Sequence, residues 1–182
     1  SDIPIACVGV ISKVNMVFMA ICIGISQGSQ PIWGFNYGAK KYDRVRQAYR
    51  YSVTACTVIA AIFFFCFQIF PHQIVGIFGT GSDLYFQFAE RYLKIFMFMT
   101  FVNGIQPVSS SFFTSIGMAK LGIVMSLTRQ VIFLLPLIII FPLFMGIDGV
   151  MYAGPIADAA AFALAIVFAR RELGKMRSAE IV

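Results

Sequence analysis

Five long apolar runs constrain the fold of this chain more than any other feature. They lie at about Ile3–Gln27, Tyr51–Phe70, Ile95–Ile116, Leu121–Met145 and Gly149–Ala169. A helix needs roughly 20 mostly apolar residues to cross the hydrocarbon core of a bilayer. Backbone N–H and C=O groups in lipid must be satisfied within the spanning segment, so these runs predict α-helices. The sequence therefore predicts an all-α polytopic membrane protein with five transmembrane helices.

Charge is scarce in this chain and is unevenly placed. Of the 182 residues, 12% are charged, against about 25% in a soluble domain. Five of the 14 Lys and Arg residues lie in Lys40–Arg50, two at Lys120 and Arg129, and four in Arg170–Arg177, so 11 share one side if the spans alternate. By the positive-inside rule that side is the cytoplasm. We expect a multi-pass protein of the cytoplasmic membrane with a cytoplasmic C-terminus, surrounded by the lipid bilayer and with no nucleic-acid partner.

Residue types that carry enzyme chemistry are present but are not grouped. Cys7, Cys22, Cys56 and Cys66 lie inside apolar runs without the spacing of zinc or redox motifs, and we interpret them as buried apolar side chains. His72 is the only histidine and stands at the end of a run, so no nucleophile–base pair can form around it. The sequence predicts a protein that is not an enzyme and that has no metal site or cofactor.

The third apolar run carries a stripe of polar residues. Thr100, Asn103, Pro107 and Ser110 recur at steps of three and four residues, so they share one face of a helix, and Gln106 lies next to that face. Such groups could bond to a neighbouring helix, or they could line a wet cavity beside the helix-loosening proline. Both interpretations stay open at this point.

Two charges lie deep within the predicted spans. Lys13 and Asp158 are each about ten residues from the outer end of a helix, roughly 15 Å into the bilayer. An unpaired charge at that depth costs at least about 2.5–3.5 kcal/mol. Three hypotheses follow: the two form a structural ion pair, Lys13 faces a cavity, or Asp158 binds a cation or a proton. Arg129 stands nearer the cytoplasmic end of its span, where we expect its long side chain to snorkel to the surface.

The segment from Gln27 to Arg50, QGSQPIWGFNYGAKKYDRVRQAYR, connects the first two runs. Pro31 and the glycines after it predict that the first helix ends here. The order Gln30-Pro31, Gly34, Asn36-Tyr37-Gly38-Ala39 and Asp43-Arg44 resembles the multidrug and toxic-compound extrusion (MATE) transporters. In that family the pattern follows the second helix of each six-helix lobe. Pro155-Ile156-Ala157-Asp158 is similar to helix twelve of the same family.

The resemblance implies that residues 1–182 are a partial C-terminal lobe, helices eight to twelve, of a twelve-helix transporter with two lobes. The first lobe and helix seven would be missing, which fits a chain that begins at Ser1 without an initiator Met. MATE proteins export organic cations and other drugs by alternating access in exchange for H⁺ or Na⁺, and the resemblance implies this function and these small-molecule partners. It also implies a substrate cavity in the intact transporter, which we expect to be lined by Gln27, Gln30, Thr100, Asn103, Gln106 and Ser110. The third run contains no Asp or Glu, so the family's usual coupling carboxylates are not placed in this chain.

Two alternative functions stay open. A polysaccharide or lipid flippase of the same superfamily would line its cavity with several cationic residues, of which we identify only Lys13. A small structural membrane subunit would have no need of a one-sided polar stripe in the third run.

Overall fold

The computed structural model describes residues 3–96, 98 and 104–180 of the chain. These ranges contain α-helices, one π-helical segment and no β-strand. The helices are α1 (Ile3–Gly38), α2 (Tyr42–Ile69), α3 (Pro71–Phe78), α4 (Asp83–Phe96), α5 (Ile105–Ser115), α6 (Ala119–Leu127), α7 (Leu135–Met145) and α8 (Ile147–Glu180). The π-helical segment, Thr128–Leu134, joins α6 to α7 without a break and is called the π segment below.

The predicted membrane-spanning architecture is confirmed. Four helices of the described chain are long and apolar enough to cross a membrane: residues Pro4–Gly38, Tyr42–Ile69, Ala119–Met145 and Ile147–Ala179. They coincide with four of the five predicted spans, although three of them extend well beyond the apolar core. The predicted span 95–116 falls on the end of α4 and on α5. Residues 97 and 99–103, which separate those two helices, lie outside the described residues.

The predicted end of the first helix near Gln27 is wrong, because α1 continues through Pro31 to Gly38. A proline removes one backbone donor, and membrane helices tolerate this where neighbouring groups satisfy the freed carbonyl. The turn comes instead after Gly38, where Lys40 has a positive φ of 56°. The Lys41 amide donates to the Asn36 carbonyl at 2.8 Å, which satisfies a carbonyl of the last helical turn.

Two apolar clusters hold the helices together. The first surrounds the buried Trp33, whose ring contacts Phe112 of α5 edge-on with 5.6 Å between centroids. In the same cluster the Tyr49 hydroxyl lies 2.7 Å from that of Ser109, which ties α2 to α5. The second cluster packs the first turns of α1 against α2, α3, α4 and α8 around residues such as Val14. The candidate site lies between these two clusters.

A stripe of small residues lets α8 pack closely in the bundle. Alanines recur every four residues along its buried face, at positions 153, 157, 161, 165 and 169. Side chains four apart share a helix face, and small ones permit close approach of neighbouring helices in a membrane protein. This packing fixes the position of Asp158, which is buried next to Ala157.

The cysteines are all free in the described structure, and the prediction that they are buried is confirmed for three of them. Cys7, Cys22 and Cys56 are fully buried, and each belongs to one of the two apolar clusters. Cys66 is exposed on the surface of α2, so the prediction is wrong for that residue.

Candidate functional site

Two neighbouring cavities lie between α1 and the span that contains the π segment. The larger cavity has a volume of about 340 Å³, and its polar lining comes from Ser12, Asn15, Tyr92, Arg129 and Gln130. The smaller cavity has a volume of about 220 Å³, and its polar lining consists of Gln106, Ser110, Ser111, Ser126, Arg129 and Gln130. Arg129 and Gln130 belong to both walls, so the π segment forms the boundary between the two cavities.

One face of α1 supplies a wall to both cavities. Its lining residues are spaced three or four apart, as expected for one side of a helix: Val8, Ser12 and Asn15 in the larger cavity, then Met19 and Ile23 in the smaller one. This part of α1 therefore runs along the whole candidate site.

The other predicted cavity residues have different positions. Gln27 and Gln30 continue the same face of α1 beyond Ile23 but do not line either cavity. Gln27 is exposed and Gln30 is half-buried. Thr100 and Asn103 lie outside the described residues.

Gln106 and Ser110 on α5 both line a cavity and bond to a neighbouring helix. The Gln106 side-chain amide donates to the Met125 carbonyl at 2.7 Å, and the Ser110 hydroxyl donates to the Gly122 carbonyl at 2.8 Å. The two interpretations left open for the polar stripe therefore hold together at these positions. The bonds fix the two side chains against α6, so this wall of the smaller cavity is held in place.

The π segment has an identifiable cause in its sequence. Pro136 has no N–H, and its ring clashes with the carbonyl four residues earlier in a regular α-helix. The Thr128 hydroxyl also donates to the Val124 carbonyl, a contact that competes with regular helix bonding. The wider turn is closed by the Leu135 amide, which donates to the Gln130 carbonyl five residues back. Short π-helical stretches within α-helices are frequent at functional sites.

Arg129 and Asp158 form a buried ion pair, and two predictions about charges are therefore wrong. The Arg129 Nε donates to the Asp158 Oδ1, and the two side chains are only 6% and 3% exposed. The sequence predicted that Arg129 snorkels to the surface. It lies ten residues into the helix that begins at Ala119, which is about 15 Å at 1.5 Å per residue and thus near mid-membrane. Asp158 is equally deep in α8, so the carboxylate is the nearer partner.

Lys13 does not take part in this site. It is exposed on α1, on the same side as Met16, which is 71% exposed. The hypotheses that Lys13 pairs with Asp158 and that it faces a cavity are both contradicted, because Asp158 pairs with Arg129 and Lys13 lines neither cavity. Sequence reasoning missed the pair because it compared Lys13 with Asp158 without testing Arg129 at the same depth.

The walls of the two cavities are polar but carry little charge. Among the described residues that line them, Arg129 is the only one with a charged side chain. The Asn15 Oδ1 is buried without a hydrogen-bond partner in the described structure, on the wall of the larger cavity. No group of three or more His, Cys, Asp or Glu side chains suited to a metal ion occurs within the described ranges. The arrangement can offer hydrogen bonds to a ligand, but it has no chemistry of its own.

Comparison with known proteins agrees with this architecture. Residues 1–146 match the family model MatE. The structure of "MATE multidrug transporter DinF-BH", solved in complex with rhodamine 6G, is 35% identical, with a TM-score of 0.82, over 90% of this chain. The structure "MATE in the bent conformation" has a TM-score of 0.88 over 97% of this chain at 15% identity, which is a likeness of fold alone. The curated relative "Multidrug export protein MepA" of Staphylococcus aureus (strain bovine RF122 / ET3-1) is 23% identical over 164 residues, 89% of this chain.

The chain spans little more than a third of the length of these proteins. It covers 36% of MepA and of the DinF-BH chain, and 39% of the chain in the bent conformation. The family match nevertheless includes α1 to α7, with the π segment and both cavity walls on α1 and α5. The chain therefore belongs to the MatE family of multidrug and toxic-compound extrusion transporters.

Proposed function

We propose that this chain forms helices eight to twelve, a partial C-terminal lobe, of a multidrug efflux antiporter of the cytoplasmic membrane. The complete transporter would export drugs by alternating access in exchange for H⁺ or Na⁺. Alternating access requires two lobes that move against each other around a shared site near the bilayer midplane. Residues 1–182 supply less than one such lobe, so the missing N-terminal lobe would be an obligatory partner.

The observation that carries this proposal is the smaller cavity. It lies near mid-depth, and its wall combines fixed polar groups, such as Gln106 and Ser110, with adaptable apolar ones, such as Met19. Few directional bonds together with a flexible methionine suit a site that accepts ligands of different shapes. A solved relative was determined in complex with rhodamine 6G, which makes that compound a reasonable test ligand here.

The coupling groups are expected outside this chain. Asp158 is buried in an ion pair with Arg129, which favours a structural role over binding of the coupling cation. The polar stripe of the third span contains no acidic residue. We therefore place the exchange of H⁺ or Na⁺ in the missing lobe or in helix seven.

One experiment tests the cavity assignment in the intact transporter. Asn103→Leu combined with Gln106→Leu should change resistance to at least one exported drug, and the rate of rhodamine 6G efflux, without changing the protein level. Gln73→Leu, at an exposed position of α3, is the matched control and should leave both unchanged. Unaltered resistance to every drug tested would contradict the cavity assignment. Ion-coupled efflux by the reconstituted 182-residue chain alone would contradict the need for a second lobe.

The proposed topology is tested separately. Cysteines introduced in the Lys40–Arg50 connector and in the Gly146–Gly149 loop should be labelled from opposite sides, the connector from the cytoplasm. Labelling of both positions by an impermeant reagent outside the cell would overturn the cytoplasmic placement of the C-terminus.

A lipid or polysaccharide flippase remains the second candidate, for one reason. Arg129 places a cation in the cavity walls, where the sequence had suggested Lys13. A single arginine that is already paired with Asp158 is less than a polyanionic substrate would require, so drug efflux is the function that the walls support better.

A further inference from the structure

Arg129 is the one charged group on the walls of both cavities among the described residues, although it is almost fully buried. Its neighbours on those walls are amides, hydroxyls and apolar side chains. Any ligand group that approaches the π segment from either cavity therefore meets a guanidinium as the only full charge in that part of the site.

The geometry of the ion pair leaves this guanidinium able to bind a second group. The contact with Asp158 is made through Nε, and a guanidinium carries further N–H donors on its two terminal nitrogens. Asp158 belongs to α8 and is not a lining residue of either cavity. Arg129 therefore stands between a carboxylate behind it and the cavities in front of it.

The ligand group that suits this position is a planar acceptor. Arginine binds carboxylates through two parallel hydrogen bonds, which are stronger than bonds between neutral groups. Gln130 and Ser126 lie beside it on the wall of the smaller cavity and can donate further bonds to the same acceptor. A cationic group would gain nothing from Arg129 and would have to be recognised elsewhere.

We infer that Arg129 is a specificity-determining residue, which binds the carboxylate of zwitterionic substrates, and that Asp158 limits the strength of this interaction. The inference rests on the proposed drug-binding role of the cavities and adds a substrate class to it. With Asp158 ionised, the pair is neutral and the site accepts both cationic and zwitterionic ligands. With the charge of Asp158 removed, the guanidinium is left for the ligand alone, and ligands with a carboxylate are favoured.

The test compares two forms of one fluorescent dye. A rhodamine ethyl ester is a permanent cation, and its free acid is a zwitterion with a carboxylate at the same position. Fluorescence anisotropy of the purified protein in lipid nanodiscs gives a Kd for each, and the ratio of ester Kd to acid Kd measures the preference for a carboxylate. Asp158→Asn keeps the shape of the side chain and should raise this ratio about tenfold, the scale of one charge-assisted hydrogen bond.

Two further variants separate charge recognition from folding. Arg129→Gln with Asp158→Asn leaves no unpaired charge and should lower the ratio below that of the wild type, with the ester Kd changed by less than about twofold. Arg170→Gln, which removes an exposed arginine from the far part of α8, should leave the ratio unchanged.

The outcomes are distinguishable. If both dyes bind but the ratio is the same in all variants, Arg129 has only a structural role and the inference is wrong, while the proposed cavity stands. If neither dye binds the wild-type protein, the drug-binding role of the cavities fails and the inference fails with it.

Discussion

Replacing Arg129 by Met is expected to destabilise the protein far more than breaking an ion pair at its surface. The Arg129 and Asp158 side chains are 6% and 3% exposed, so the substitution leaves a carboxylate buried without the guanidinium that neutralises it. Removing one member of a buried ion pair lowers the free energy of unfolding by about 3–5 kcal/mol. Methionine fills much of the volume of the arginine stem, so the loss mainly reports the charge and not a cavity.

Two controls define this result. Arg91→Met breaks the pair between Arg91 and Asp148, which are 3.5 Å apart and 59% and 40% exposed; this should cost less than about 1 kcal/mol. Arg129→Met combined with Asp158→Leu removes both buried charges and should recover most of the stability lost in the single variant.

The assay is denaturant unfolding of the purified protein in detergent, followed by circular dichroism. The reasoning is refuted if the free energy of unfolding of Arg129→Met lies within about 1 kcal/mol of the wild type, the scale of an exposed pair, or if the double variant is no more stable than the single one.

Three further substitutions test the packing around the site by the same assay. Gly122→Val should cost about 1–3 kcal/mol, because a Cβ there would lie 2.9 Å from the Ser110 carbonyl oxygen. Gly24→Ala, where no atom lies within 4 Å of the added Cβ, should leave stability unchanged or raise it by up to about 1 kcal/mol. Tyr49→Phe should cost about 1 kcal/mol, because the hydroxyl contact with Ser109 at 2.7 Å is lost; no measurable change would show that this contact does not hold α2 to α5.

The spans could be predicted from the sequence because hydropathy and length act on each segment separately. A run such as Leu121–Met145 has few polar residues and no alternative in lipid to forming a helix. The polar stripe was equally readable, since Gln106 and Ser110 follow helical spacing and the structure places both on one cavity wall.

The features that could not be predicted depend on contacts between segments. Whether Pro31 ends α1 depends on which neighbouring groups satisfy the freed carbonyl, and nothing in the local sequence specifies them. The pairing of Arg129 with Asp158 depends on how α8 lies against the π segment, which is set by packing along its alanine face. Depth alone gave three candidate charges, and choosing between Lys13 and Arg129 required the rotation of α1.

The central claim, that these cavities bind drugs, is tested most directly by labelling of single cysteines in the transporter with and without rhodamine 6G. In a Cys66→Ser background, Ser126→Cys on the wall of the smaller cavity should react with a water-soluble maleimide. Leu143→Cys, at a position that is 78% exposed on α7 and is expected to face lipid, should react slowly. The account predicts that rhodamine 6G slows labelling at position 126 and has no effect at position 143. Labelling at position 126 that is as slow as at position 143, or that the dye does not change, would contradict it.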